Sequence, residues 1–117
     1  MPDQNLNAKM AELMGWRLNA PDADYRHGPW WGNEYGGFII AEKDWTPLTD
    51  IAQAFMVVEK MAQGEPVYDL QLRSICLPGG KIKYTASFAD ILSGYKKWQD
   101  SDTPSEAICK AALEATI

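Results

Sequence analysis

The sequence predicts an α+β domain, because helix-like and strand-like periodicities follow one another along a single chain of 117 residues. Two amphipathic blocks, residues 44–61 and 102–117, have the apolar spacing of helices. Between them, residues 68–76 and 82–88 alternate in the manner of half-buried strands. A stretch rich in glycine and proline, residues 19–37, is typical of a loop with short strand pieces at most.

The first predicted helix is short and ends at Gly15, a residue suited to a left-handed stop. Its apolar face consists of Leu6, Met10, Leu13 and Met14. After the breaker-rich stretch, the apolar run from Phe38 to Ala41 is typical of a short strand.

Thr46 and Pro47 predict the start of the second helix, since a hydroxyl can cap free amides and proline is tolerated in the first turn. Gly64 and Pro66 predict its end. The expected buried stripe consists of Ile51, Phe55, Val58 and Ala62, with Ala54 and Met61 beside them.

A turn at Pro78-Gly79-Gly80 predicts that the two alternating segments form a hairpin. Residues 95–99 fit either a third strand or a helical turn. The motif Thr103-Pro104-Ser105-Glu106 is typical of a capping box that starts the last helix. We therefore expect helices packed on a mostly antiparallel sheet of about four or five strands.

Composition indicates one domain over residues 1–117. A net charge of −5 and a pI near 4.7 argue against direct nucleic-acid binding, which requires clustered lysine and arginine. No long apolar run or leader is evident, so we expect a protein of the cytoplasm that does not enter membranes. Cys76 and Cys109 are expected to behave as small buried hydrophobes.

Three segments in order resemble a family of small bacteriophage and prophage proteins, the phage ABA sandwich domain family. They are AKMAELMGWRL (8–18), DWTPLTDIAQAFMVVEKM (44–61) and AICKAALEA (107–115). The resemblance implies a three-layer arrangement with helices on both faces of the sheet, and it brings no agreed catalytic residues. The chain departs from the family pattern in the loop 25–35 and in the stretch 89–98.

The strand alternation sets polar residues on one face of the hairpin, and they would be costly to bury. These residues are Gln71, Arg73, Lys81 and Lys83. We therefore expect this face to be partly covered, or open to a ligand or a subunit.

The sequence lacks the residue combinations that a catalytic or metal site requires. His27, the single histidine, has no nucleophile motif to serve, and we interpret it as a loop residue bonded to backbone or water. No calcium-loop or zinc spacing is present, and the glycine pairs do not form a phosphate-binding loop. Carboxylate pairs in loops are solvated, so we expect no enzymatic activity, no metal and no cofactor.

The segment from Tyr25 to Tyr35 contains adjacent tryptophans beside an arginine, a combination suited to stacking on a base and pairing with a phosphate. The alternative is that one tryptophan caps the core while the other covers a helix or forms a homo-oligomer contact. The candidate ligand-binding residues are Arg26, Trp30, Trp31, Arg73 and Lys83.

Two hypotheses of function follow. The first is a non-enzymatic protein that sequesters a small nucleotide-like immune signal and so counters host defence. The second is an interaction module that inhibits a host or phage protein through its aromatic patch. An enzyme of nucleotide hydrolysis would require clustered carboxylates or a metal. A homo-oligomer, taken as a dimer, suits either of the first two.

Overall fold

The computed structural model describes residues 2–19, 28–64, 66–90 and 92–116. Within these residues the chain forms three α-helices, a short 3-10 helix at Glu42–Asp44 and seven strands. In chain order they are α1 (Pro2–Leu13), β1 (Arg17–Asn19), β2 (Trp30–Gly32), β3 (Phe38–Ala41), α2 (Ile51–Gln63), β4 (Tyr68–Cys76), β5 (Ile82–Asp90), β6 (Gly94–Tyr95), β7 (Gln99–Ser101) and α3 (Pro104–Thr116). The predicted α+β class is confirmed.

The strands divide between two antiparallel sheets, whereas one sheet was expected. The small sheet has the order β1-β2-β3. The large sheet has the order β4-β5-β6, and β7 also pairs with β5. The division arises because residues 30–32, in the stretch predicted to be a loop with short strand pieces at most, form the central strand β2. Residues 95–99 are not a helical turn, since they lie partly in β6 and partly in β7.

The predicted hairpin is confirmed. Strands β4 and β5 pair from Tyr68 with Asp90 to Cys76 with Ile82. Its turn uses the positive φ angles of Gly79 and Gly80, 89° and 81°, which side chains with a Cβ adopt only with strain.

The helices pack on one face of the large sheet, which we call the helix face. Helix α3 contacts β5 and β7, while α2 contacts α3 and β4, and α1 contacts α3. Ala86 and Phe88 of the helix face have no exposed surface. The Tyr68 hydroxyl on the same face donates to the Ala115 carbonyl over 3.1 Å. The family resemblance implied helices on both faces, whereas the described helices lie on this one.

Helix α2 begins four residues after the predicted cap. Asp50 is its N-cap, and the Asp50 side chain accepts a hydrogen bond from the Gln53 amide. Thr46 instead opens a turn, since its carbonyl accepts from the amides of Thr49 and Asp50. The Gln53 side chain accepts from the Thr46 amide, so this preceding turn is tied to the helix. The predicted start at Thr46 is therefore a turn, and the helix itself begins after Asp50.

The buried face of α2 also differs from the predicted stripe. Ala54, Val57 and Met61 are buried. Ile51 and Phe55 retain 41% and 44% of their surface. The apolar residues of this helix span a wider arc than the core covers, and only one side of that arc is buried. The other side stays exposed.

Trp45 joins α1 to the segment before α2. Its indole nitrogen donates to the Asn7 carbonyl over 2.9 Å, and its ring meets Trp16 edge-on at 4.7 Å. The Asn7 side chain in turn accepts from the Leu48 amide. Trp45 is 1% exposed, and it is the largest fully buried side chain among the described residues.

Helix α3 starts with the predicted cap, because the Thr103 hydroxyl accepts from the Glu106 amide over 3.3 Å. In a simple capping box the Glu106 side chain would accept a hydrogen bond directly from the Thr103 amide. Here Ser101 lies between them, because its hydroxyl accepts from the Thr103 amide and donates to the Glu106 carboxylate. This buried serine of β7 thereby ties the sheet to the first turn of α3.

Candidate functional site

The two adjacent tryptophans of the aromatic segment lie on opposite faces of β2. Trp31 is 3% exposed and belongs to the hydrophobic core. Trp30 lies on the other face, half-buried, with its ring 5.5 Å from that of Phe38. Alternation along the strand therefore decides between the two interpretations for Trp31, which caps the core and presents no surface to a ligand.

Gly32 explains how the Trp30 ring fits against the small sheet. A Cβ atom built on Gly32 would lie 2.7 Å from the Trp30 ring and 3.1 Å from the Gly37 carbonyl. The glycine is therefore required for the close approach of a ring, a structural role. Arg26, the cationic member of the predicted segment, lies outside the described residues.

The second face of the large sheet, which we call the open face, carries the other two candidates. The register places Gln71, Arg73 and Ile75 of β4 on this face. Their partners on β5 are Ser87, Thr85 and Lys83. The predicted sharing of one face by Gln71, Arg73 and Lys83 is confirmed.

Arg73 stacks on an aromatic ring at the centre of the open face. Its guanidinium carbon lies 4.9 Å from the centroid of the half-buried Trp98 ring, within the range of a cation–π interaction. Trp98 belongs to the segment 96–98 that connects β6 to β7. The arginine is thus held flat against the sheet while remaining exposed.

Lys83 lies against a carboxylate on the same face. Its ammonium is 3.6 Å from the Asp100 carboxylate, and both side chains are substantially exposed. A hydrogen bond from Thr85 and the Lys83 charge lower the pKa of Asp100. Asp100 is therefore an anion near neutral pH and offsets part of the positive charge. The face combines one arginine, one partly neutralised lysine and one aromatic ring.

A segment beyond β5 covers part of the open face. The Ser87 hydroxyl donates to the Lys96 carbonyl over 2.7 Å, and Ser87 is fully buried. The Lys96 amide donates to the Phe88 carbonyl. The β4 half of the face is left uncovered, which agrees with the expectation of a partly covered face.

Other potentially reactive groups of the described chain lie in contrasting environments. Burial raises the pKa of the Cys109 thiol to about 12, so it stays protonated. Cys76 is exposed near the hairpin turn, contrary to the expectation of a buried residue, because the helices do not reach that end of β4. Where carboxyl pKa values depart from their usual range, at Asp90, Asp100 and Glu106, they are lowered. A general acid requires the opposite shift.

The residues that the structure describes contain no cluster of three or more potential metal ligands from His, Cys, Asp and Glu. Nor do they include a helix of sufficient length and hydropathy to cross a bilayer.

A shallow pocket of about 210 Å³ lies where α1, α2 and α3 meet the start of β4. Its lining residues are Leu13, Lys60, Met61, Gly64, Pro66, Tyr68 and Thr116. The lining is mostly apolar, with the Lys60 ammonium as its charged group. It lacks the converging polar groups that orient a ligand in a binding pocket.

The fold and the open face define a small α+β protein with a strand surface that carries an arginine–tryptophan stack and a lysine–aspartate pair. The phage ABA sandwich domain model matches residues 9–113, which is most of the chain. The chain therefore belongs to the phage ABA sandwich domain family, and the resemblance of its three helical segments is confirmed. No curated protein and no solved structure shows a significant match.

Sequence reasoning found Arg73 and Lys83 but missed their neighbours. Trp98 and Asp100 follow an irregular stretch whose pairing with β5 could not be read from periodicity. A signal was present, since an isolated tryptophan beside two lysines is unusual for an edge segment. The four described candidates divide between the two sheets: Trp30 and Trp31 belong to the small sheet, and Arg73 and Lys83 belong to the large one.

Proposed function

We propose that this protein is a non-enzymatic phage-type binding protein that engages a partner protein through the open face of its large sheet, with inhibition of a host or phage protein as the consequence. The observation that carries the proposal is the Arg73–Trp98 stack, exposed on a flat surface. Arginine and tryptophan contribute most of the energy in many protein interfaces. Ile75, 41% exposed, adds apolar area to the same face.

The flatness of the face favours a polypeptide. Small-molecule sites are concave and bury most of their ligand, whereas protein interfaces are broad. The open face is formed by paired strands, and the pocket of about 210 Å³ described above lies among the helices. The partial neutralisation of Lys83 by Asp100 also suits a mixed interface better than a polyanion.

The test is site-specific photocrosslinking in host cells, with the crosslinker at position 75 on the open face and, as a control, at position 59 on the polar side of α2. A protein captured at position 75 is then purified, and its affinity is measured by calorimetry. We expect Arg73→Ala to weaken binding by about 10- to 100-fold, the range of an interface hot spot.

Arg17→Ala is the matched control. Arg17 is also exposed on a strand, but it belongs to the small sheet, so the same loss of charge should leave affinity unchanged. Equal crosslinking at positions 59 and 75, or equal effects of the two arginine substitutions, would reject the open face as the binding surface.

Sequestration of a small nucleotide-like immune signal is the second candidate. It is favoured by Arg73 and Lys83 sharing a face with the Trp98 ring, since a cation and a ring suit phosphate and base. Calorimetric titration with cyclic nucleotides and ADP-ribose derivatives tests it. Binding by the wild type that is lost in Arg73→Ala and Lys83→Ala would support sequestration. If no ligand of the panel produces a heat of binding, the sequestration hypothesis is rejected.

The absence of enzymatic activity is part of the proposal and has its own test. The same nucleotide panel is incubated with the protein, and products are separated by chromatography. Turnover that disappears in His27→Ala would overturn the non-enzymatic assignment.

A further inference from the structure

One edge of the large sheet is open along its whole length in the described chain. Strand β4, nine residues long, pairs with β5 and ends the strand order. The Leu77 amide donates to the Lys81 carbonyl over 2.7 Å, so alternate residues back along β4, Ile75 and Arg73 among them, direct their backbone groups to β5. The amides and carbonyls of Leu70, Leu72 and Ser74 consequently point outward. Such an edge is a template for another strand.

An apolar stripe on α2 lies next to this edge. The stripe consists of Ile51, Phe55, Val58 and Ala62, residues spaced along one side of the helix. Ile51, Phe55 and Ala62 are exposed, whereas Val58 is partly buried against the core. The roughly opposite side of α2 carries Lys60, which lines the pocket with Thr116 of α3 and Leu13 of α1. The stripe therefore faces away from this pocket. Among the described helices, α3 contacts β5 and β7 whereas α2 contacts β4, so α2 is the helix nearest the free edge of β4.

The turn half of the hairpin is uncovered on the helix face. Leu72 and Ile82, both on that face, are 36% and 46% exposed. The end of α2 lies beside the start of β4, where Met61, Pro66 and Tyr68 meet around the pocket. Helix α2 thus covers the first half of β4 and leaves the second half bare.

We propose that two copies of this chain pair antiparallel along β4, about a two-fold axis at Gln71, and so extend both large sheets into one. In this arrangement the first half of the partner's β4 lies beside the bare second half of this one. The partner's α2 stripe then covers Leu72 and Ile82, and each copy buries the apolar surface that the other leaves exposed. An isologous interface of this kind closes on itself and stops at two copies.

Charge selects the register. Within β4, Asp69 and Arg73 are the charged residues, and both lie on the open face. With Gln71 on the axis, each Asp69 lies opposite the Arg73 of the other copy, while Leu70 lies opposite Leu72. Shifting the axis to residue 73 would set the two arginines against each other. Shifting it to residue 70 or 72 leaves both charges without opposite partners. Arg73 would turn from the Trp98 ring toward the strand edge to make this pair.

Light scattering and analytical ultracentrifugation over a micromolar concentration series test the proposal without any ligand. We expect a dimer whose dissociation constant rises by at least about tenfold in Phe55→Glu, since a carboxylate would be buried in the interface. Met56→Glu is the matched control, because Met56 is 38% exposed on another side of the same helix. A wild type that stays monomeric, or equal effects of the two substitutions, would overturn the proposal.

A charge exchange tests the register. Asp69→Arg and Arg73→Asp should each weaken dimerisation by about tenfold, and the double variant should restore it. Failure of the double variant to recover would reject the axis at Gln71. These readouts need no partner protein. Partner affinity measured in Phe55→Glu, which keeps Arg73, separates failure of the dimer from failure of the proposed function.

Discussion

The two faces of the β4–β5 hairpin differ in what covers them, although their residues alternate along the same strands. The helix face buries Ala86 and Phe88 beneath α2 and α3, and its side chains join the core. The open face carries Arg73 on Trp98 and Lys83 on Asp100, in contact with water. Helix cover makes the first face a structural element and leaves the second available for recognition. Substitutions on the two faces should therefore separate stability from binding.

The largest effect is expected at Phe88, at the centre of the helix face. Phe88→Ala removes a fully buried ring that meets Tyr68 edge-on at 6.4 Å. We expect a loss of about 3–5 kcal/mol in the free energy of unfolding, measured by denaturant titration. Ile75→Ala on the open face is the control and should stay within about 0.5 kcal/mol. Similar losses at both positions would break the distinction between the faces.

Ser87 tests the covered part of the open face. Ser87→Ala removes the hydrogen bond to the Lys96 carbonyl and leaves that carbonyl without this partner. A loss of about 1 kcal/mol is expected from denaturant titration, with faster amide exchange in residues 94–98. Ser74→Ala, an exposed serine of β4, is the comparison and should have almost no effect. Unchanged exchange would show that Ser87 does not hold this segment.

Glu106 stabilises the start of α3, the helix that covers the helix face, and this stabilisation depends on pH. A hydrogen bond from Lys110, followed by one from Ser101, lowers the pKa of Glu106 below its usual 4.5. A lowered pKa in the folded state stabilises the protein above about pH 4.5, and this contribution disappears as the pH falls through the folded-state value.

Glu106→Gln should therefore lower the free energy of unfolding by about 0.5 kcal/mol at pH 7. The difference from wild type should close as the pH falls below the folded-state pKa of Glu106. Glu59→Gln, an exposed carboxylate on α2, provides the matched control. A difference that persists unchanged at acid pH would exclude the ionised carboxylate as its source.

A small change in stability is also expected at Arg73. Removing its exposed side chain eliminates a cation–π contact, with a predicted cost of about 0.5–1 kcal/mol by thermal or chemical unfolding. The same Arg73→Ala variant should show the large loss of partner binding described above. A loss of stability comparable to that of Phe88→Ala would mean that the open face is part of the structural core.

Local signals in the sequence predicted much of the fold. Alternation and a double glycine gave the β4–β5 hairpin, and Thr103 gave the start of α3. For the buried face of α2 the prediction was right for Ala54 and Met61 and wrong for Ile51 and Phe55, because an apolar arc wider than the core leaves more than one choice. For the site, alternation placed Arg73 and Lys83 together, but Trp98 and Asp100 reach them only through pairing between distant strands.

The sequence by itself determined the α+β class, the hairpin and the helix stops, since each depends on periodicity or on backbone freedom within a few residues. Tertiary structure decided which tryptophan of the 30–31 pair entered the core and which side of α2 was buried. It also decided that one hairpin face would stay open. These choices depend on which elements pack together, and the free energy of packing is a property of the whole core that no local pattern contains.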